Sequence, residues 1–387
     1  MNEPFCHLDY AAATPLDEQV FLAMKPFFTE RFFNPSSPYE PALAVKRDYQ
    51  AAKAQIAKTI GAGPDELVMT AGATESINLA ISSFAGHKIC ASIEHDSVRK
   101  AVQSAGDYTI AGVDKTGRIN VEELAAAITD ETQLVSVALA NHEIGTVQPV
   151  AEIAHIIRKK RDERLARGNR TQLVLHCDAS QGFGLVDIHV ARLGVDLLTL
   201  NAGKIYGPKQ VALLWVKPGV KVTARIVGGG QELGLRSGTE NVPGVIGFAE
   251  AVRIAEKHRK QEVDRVRNLR NILQQTLANA FPNAVFSGHT KHRLANYLHV
   301  SFPGIDAERL VFMLEMQNVL VATGSACAAN KSTKSAVLEA IGLPEETANG
   351  SLRITLGRPT TEAHIQRAGE AIIAAVRQEA ERTGTAL

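Results

Sequence analysis

Short apolar runs closed by Gly, Ser, Asn or Asp recur along the chain as far as Val216, and they alternate with stretches in which apolar residues return at helical spacing. The first pattern suits strands buried on both faces, and the second suits helices with one apolar stripe. Ala42–Ile60 reads as a helix, with Gly61 standing where a helix stops. Leu67–Thr70 reads as a short strand that feeds Ala71-Gly72-Ala73-Thr74-Glu75-Ser76 and then a helix to about Ser82. Further strands are predicted at Lys88–Ile93, Leu134–Leu139, Gln172–Cys177, Asp196–Leu200 and Val211–Val216, with helical segments between most of them. Apolar strands joined by crossover helices predict an α/β fold with a mainly parallel sheet covered on both sides. From Pro243 to about Ala280 the pattern is one long charged helix, read as a hinge. Beyond it come a strand at Asn296–Phe302, a helix at Ala307–Gln317, strands at Val319–Ala322 and Ser351–Leu356, and a closing helix from about Glu362 to Arg382. That order describes a smaller α+β domain.

Composition narrows the class. A chain of 387 residues has room for two domains, and 45% hydrophobic with 21% charged residues is ordinary for a soluble globular protein. The net charge of +1 and an aromatic content of 5% give no reason to expect nucleic acid as a partner. No apolar run approaches the roughly 20 residues of a membrane span, and Met1-Asn2-Glu3-Pro4 lacks the basic and apolar regions of a signal peptide. A cytoplasmic globular enzyme without a membrane partner is expected. The four cysteines, Cys6, Cys90, Cys177 and Cys327, are widely separated and contain no C-x-x-C, so neither a metal site nor a disulfide framework is expected. Cys90 and Cys177 sit in apolar strands as core residues, and Cys6 lies near a terminus expected to be loose. Cys327 stands in the small-residue polar loop Gly324-Ser325-Ala326-Cys327-Ala328-Ala329-Asn330, where packing does not explain it. It is the candidate nucleophile.

Candidate chemistry gathers just after the predicted strands, where open α/β sheets bind ligands. Asp178 ends one apolar strand and Lys204 follows another. A pyridoxal phosphate enzyme needs such a pair: a lysine to join the cofactor aldehyde and an acid to keep the pyridine nitrogen protonated. Gly72-Ala73-Thr74-Glu75-Ser76 offers free amides and hydroxyls at a helix N-terminus, which favours a phosphate. His95 follows a strand and suits ring stacking or proton transfer. Gly228-Gly229-Gly230-Gln231-Glu232 reads either as a flexible surface loop or as a close approach to a phosphate or another subunit. Arg353, inside an apolar strand, suits capture of a substrate carboxylate or a structural ion pair.

With these residues in view, the chain resembles the cysteine desulfurases of iron–sulfur cluster assembly, pyridoxal phosphate enzymes of the class V aminotransferase group. The likeness runs in order through Leu8-Asp9-Tyr10-Ala11-Ala12, Asn34-Pro35-Ser36-Ser37, Gly72-Ala73-Thr74-Glu75-Ser76, Glu94-His95, Glu143-Ile144-Gly145, Asp178 with Gln181, Lys204-Ile205-Tyr206-Gly207-Pro208-Lys209, Gly229-Gly230-Gln231-Glu232, Arg236-Ser237-Gly238-Thr239, Gly324-Ser325-Ala326-Cys327 and Arg353 with Leu356-Gly357-Arg358. It implies fold type I, with a large domain over residues 12–250 and a small α+β domain over 1–11 and 251–387 that carries the Cys327 loop. By the same resemblance Lys204 holds the cofactor, Asp178 faces its ring nitrogen, Gln181 its ring hydroxyl, and His95 stacks on the ring. Thr74 holds the phosphate, helped by Thr239 from the other subunit of a homodimer, Ala73, His142 and Asn201 also line the cofactor, and Arg353 with Asn34 meets the substrate. The reaction implied converts L-cysteine to L-alanine, with Cys327 as nucleophile on a long mobile loop that passes its sulfur to an acceptor or iron–sulfur scaffold protein. A selenocysteine lyase, another class V enzyme such as an aminotransferase, and a weakly active sulfur-relay protein are the alternatives.

Four positions depart from the family pattern. Asn201-Ala202-Gly203-Lys204 stands where the family usually has Ser-x-His-Lys, so a hydroxyl and an imidazole expected at the phosphate are missing. His142 replaces an asparagine beside the expected ring hydroxyl, and Tyr39 stands where a histidine is usual.

Overall fold

The computed structural model describes residues 5–324 and 334–386. Strand β1 (Cys6–His7) opens it, followed by β2 (Leu67–Thr70), β3 (His87–Ala91), β4 (Tyr108–Ala111), β5 (Thr132–Ala138), β6 (Val174–Asp178), β7 (Leu197–Asn201) and β8 (Ala212–Val216). Strands β2 to β8 form one sheet in the order β2-β8-β7-β6-β5-β3-β4. The pairs β3–β4, β3–β5, β5–β6 and β6–β7 are parallel, while β8 runs antiparallel to both β7 and β2. The sheet is mainly parallel, as the apolar runs predict. Strand β4 escaped the sequence reading because it is an edge strand whose Tyr108 and Ile110 are exposed.

Alternation explains why both faces are covered. Successive strand side chains point to opposite faces. Met69, Ile89, Val135, Leu175, Leu198 and Leu213 enter one apolar core, and their neighbours Val68, Cys90, Leu134, Val174, Leu197 and Leu214 enter the other. The helices 40–60 and 242–280 pack on the first side, and helices 73–81 and 96–104 on the second.

The small domain holds β9 (Val285–Ser287), β10 (Tyr297–Ser301), β11 (Val319–Leu320), β12 (Ala322–Thr323) and β13 (Ser351–Thr355). An antiparallel sheet runs β12-β13-β10-β9, and β1 pairs parallel with β11. Its core joins Leu298, Val300, Leu352 and Ile354 to Leu310, Leu314, Ile372 and Val376. The N-terminal segment is not loose at Cys6: this residue is fully buried on β1, and its thiol donates to His364 O at 3.3 Å. The 242–280 helix is not a hinge either. It is one continuous element of 39 residues, about 58 Å long. Phe248 and Val252 sit in the core of the large domain and Leu269 and Leu273 in that of the small one, so the helix is a strut shared by both.

The glycine-rich stretch is firmly held. Glu232, almost fully buried, accepts from Tyr49 Oη at 2.5 Å, Lys53 Nζ at 3.0 Å and the Met69 amide at 2.7 Å. Glu232 and Leu233 have φ of 47° and 62°, a left-handed backbone that costs roughly 1–2 kcal/mol at each non-glycine residue. The three donors offset that strain, and the Met69 amide belongs to edge strand β2, which the stretch covers. Removing one partner of a buried ion pair leaves an uncompensated charge. Lys53→Met is therefore expected to destabilise the large domain by about 3–5 kcal/mol. Urea unfolding followed at Trp215, the single tryptophan, on β8, measures this.

Candidate active site

The carboxyl ends of β2, β3, β5, β6 and β7 open into one cavity of about 430 Å³, within the range of small-molecule sites. Gly72, Ala73 and Thr74 line it after β2, His95 after β3, His142 after β5, Asp178, Ser180 and Gln181 at the end of β6, and Asn201, Gly203 and Lys204 at the end of β7. Ala12 and Ala13 of the N-terminal segment and Lys209 and Gln210 of the β7–β8 connection complete the wall. The fold brings the strand-end residues together because β2, β3, β5, β6 and β7 all point the same way, and their common carboxyl edge is where such sheets bind ligands.

Each wall is fixed by its local structure. Asn201 caps a single 3₁₀ turn over Ala202–Lys204, with its Oδ1 accepting from the Gly203 amide at 3.0 Å. That turn projects Lys204, whose Nζ donates to Ala11 O at 2.6 Å and Ala12 O at 2.8 Å. Gln181 donates to the same Ala11 carbonyl at 3.2 Å and accepts from Tyr297 Oη at 2.7 Å, linking the two domains. Asp178 accepts the Ser180 amide at 3.0 Å. The 73–81 helix starts at Gly72, whose φ of 134° only glycine tolerates, so the first-turn amides end at the cavity wall. Ser180 Oγ is buried and has no hydrogen-bond partner among the described residues. No motif singled it out. The only signal was its place two residues beyond Asp178.

Burial governs the electrostatics. His95 caps the 96–104 helix, its Nδ1 accepting from the Ser97 amide at 3.1 Å, which leaves Nε2 to carry the proton of the neutral ring. Burial holds its pKa down. The His142 ring meets that of His95 edge to face at 5.0 Å between centroids. Its pKa is pushed well down by burial and, less strongly, by the cationic Arg353 and Lys204, so it stands as a neutral imidazole. Glu143, next to it, is raised to about 7 by burial and accepts from Ser335 Oγ at 2.5 Å. Glu94, the buried residue before His95, is raised to about 8 by burial and accepts the Ala138 amide at 2.9 Å.

The remaining candidates lie elsewhere. Arg353 makes the structural ion pair: Nη2 meets Asp9 Oδ1 at 2.8 Å and Nη1 donates to the His142 carbonyl at 3.1 Å, while Nε has no partner among the described residues. It thus stands behind His142, outside the cavity wall. Asn34 is exposed and turned on itself, its Oδ1 accepting the Ser36 amide at 2.9 Å, and the structure does not bring it to the cavity. Thr239 is exposed and likewise absent from the wall of its own chain. Cys327 lies outside the described residues. The described positions flanking it are Gly324, whose amide donates to Ser351 O at 3.0 Å, and Lys334, which precedes Ser335.

The donor set fits pyridoxal phosphate. An amine, a carboxylate, a helix N-terminus and an orphaned hydroxyl share one cavity, which matches an aldehyde, a ring nitrogen and a phosphate. The comparisons agree. The family described as Aminotransferase class-V matches residues 6–368. Cysteine desulfurase IscS 1 of Archaeoglobus fulgidus is 39% identical, over 93% of this chain and 94% of the relative. Cysteine desulfurase IscS of Clostridium botulinum is 38% identical, over 97% and 95%. The solved structure of a NifS-like protein superposes with a TM-score of 0.89 at 30% identity, covering 97% of this chain and 100% of that one.

Proposed function

We propose, from the premise that this chain belongs to the class V aminotransferases and within them to the cysteine desulfurases, that it takes sulfur from L-cysteine, releases L-alanine and stores the sulfur on Cys327. The named relatives favour this reading over a selenocysteine lyase, an aminotransferase or a sulfur-relay protein. The observation that carries it is the single cavity lined by Lys204, Asp178, His95, His142 and the Gly72–Thr74 turn. Lys204 Nζ holds the cofactor there and moves the proton at substrate Cα. Asp178 keeps the ring nitrogen protonated, Gln181 and Ser180 meet ring substituents, and the amides of Ala73 and Thr74 hold the phosphate with the Asn201 side chain. When bound, pyridoxal phosphate supplies the sink for charge developing at substrate Cα. His95, neutral and bearing its proton on Nε2, covers the ring and carries protons. Arg353 is the substrate-carboxylate residue of this reading, and to serve it would exchange its Asp9 partner for the substrate's carboxylate.

Cys327, as thiolate, attacks the substrate sulfur. A sulfur–sulfur bond forms, the substrate Cβ–S bond breaks, and Cβ takes a proton to become the methyl group of alanine. The working unit is a homodimer in the cytoplasm in which Thr239 serves the neighbouring cavity, and the sulfur passes to an acceptor or iron–sulfur scaffold protein. The large domain comprises 12–250 and the small one 1–11 with 251–387, a division that the separate core around Leu298 and Ile372 supports. Among the described residues, no helix is long and apolar enough to cross a membrane. The test is turnover with a thiol reductant present. Equimolar alanine and sulfide from cysteine are expected, whereas pyruvate and ammonia, or no reaction from protein loaded with cofactor, would contradict the reading.

The altered cradle gives a second expectation. A Cβ on Gly203 would sit 3.5 Å from Asn201 Oδ1 and 3.8 Å from Lys209, ordinary contact distances. An imidazole therefore enters there without a clash at Cβ, and serine caps the Ala202–Lys204 turn as well as asparagine does. Asn201→Ser combined with Gly203→His is expected to tighten cofactor binding by about 10- to 150-fold, the worth of a hydrogen bond to a charged group. Titration of the apo-protein measures it. Unchanged or weaker affinity would mean that Asn201 and Lys209 already do the work of the missing pair.

A further inference from the structure

The segment 223–238 clasps the 73–81 helix at both ends. At the C-terminal end Arg225 donates from Nε to Ser82 Oγ at 2.7 Å and from Nη2 to Ser82 O at 2.6 Å, and the Thr223 amide donates to Ser83 Oγ at 3.0 Å. At the N-terminal end Arg236 Nε meets Glu75 Oε1 at 2.9 Å, and Glu75 Oε2 accepts the Ala71 amide at 3.0 Å. Between the two clasps Glu232 is pinned by Tyr49, Lys53 and the Met69 amide. The segment is therefore rigidly referenced to the sheet, and it touches a helix whose first turn lines the cavity at Ala73 and Thr74.

Glu75 is an awkward neighbour for a phosphate. A carboxylate in the first turn satisfies the positive end of the helix dipole, and so competes for the same partial charge as an anion bound at Ala73 and Thr74. Its other oxygen does something useful, since it fixes the Ala71–Gly72 corner from which the helix starts. Arg236 resolves the conflict. It neutralises Glu75 and leaves the carboxylate in place as a hydrogen-bond acceptor for the Ala71 amide.

We propose that Arg236 is a positioning residue for the cofactor phosphate, acting through Glu75 on the N-terminus of the 73–81 helix. This rests on reading the cavity as the pyridoxal phosphate site. The test titrates apo-protein with pyridoxal phosphate and, in parallel, with pyridoxal, which has the same aldehyde and ring but no phosphate. In Arg236→Gln the affinity for pyridoxal phosphate is expected to fall about 10- to 100-fold, with that for pyridoxal changed less than about 2-fold. Adding Glu75→Gln removes the uncompensated charge while keeping an acceptor for the Ala71 amide, and is expected to recover most of the loss. Arg236→Lys, which keeps the charge, is expected to stay within about 3-fold of wild type, and circular dichroism confirms the fold of each variant. Equal losses for both aldehydes, no loss for either, or no recovery in the double variant overturns the proposal. The last result would place the effect of Arg236 in the loop bearing Thr239 instead. A wild-type protein that binds neither aldehyde overturns the cofactor reading itself.

Discussion

Cys327→Ala is expected to bind the cofactor as the wild type does and to lose persulfide and alanine formation by on the order of 1000-fold or more, the scale on which removing a nucleophile acts. The size of the effect follows from the other thiols, which cannot substitute. Burial raises Cys6 to about 11 and Cys90 to about 12, and pushes Cys177 well above the usual thiol range. A sulfur acceptor must be a thiolate that can meet the substrate, and all three are buried protonated thiols. Their replacement by Ser or Ala tests packing only, and turnover per folded molecule is expected to stay at the wild-type level. Alanine production at the wild-type rate from Cys327→Ala would remove the thiol from the mechanism and restore the lyase alternative.

Lys204→Ala carries the other large effect. Nζ is assigned both the covalent tether and the proton transfer at substrate Cα, so turnover is expected to fall by at least about 10000-fold. The fold should tolerate the change. Lys204 is half-buried at a cavity wall, and its two carbonyl partners, Ala11 O and Ala12 O, remain free to take water in its place. Borohydride reduction of the wild-type holoprotein followed by peptide mapping is expected to fix the pyridoxyl group on Lys204. Lys209 is the meaningful competitor, because it lines the same cavity, with Nζ 3.4 Å from Thr14 O. A label on Lys209 contradicts the assignment.

The cavity was readable from sequence to the extent that topology alone builds it. Gly72, His95, His142, Asp178 and Lys204 each follow an apolar run, and parallel strands place such positions on one edge. What the sequence hid depends on packing across elements. The apolar composition of β8 is the same whichever way the strand runs, so its antiparallel pairing with β7 and β2 was not visible. Glu232 looked like a polar residue in a loose glycine-rich loop, because its partners Tyr49 and Lys53 lie on a distant helix. Arg353 was legible as a strand arginine needing an acid, yet nothing in its own strand named Asp9, far away in the chain. Cys6 was misread for the same reason: the two-residue strand β1 is stable only against β11.

The central claim is that sulfur leaves free cysteine and rests on Cys327. It is tested most directly by mixing the holoprotein with limiting cysteine in the absence of reductant and measuring protein mass and alanine together. The account requires the protein to gain one sulfur atom, located by peptide mapping on the fragment containing Cys327, with one alanine released for each sulfur gained. Alanine released without a gain of mass, or a sulfur found on Cys6, Cys90 or Cys177, would contradict it.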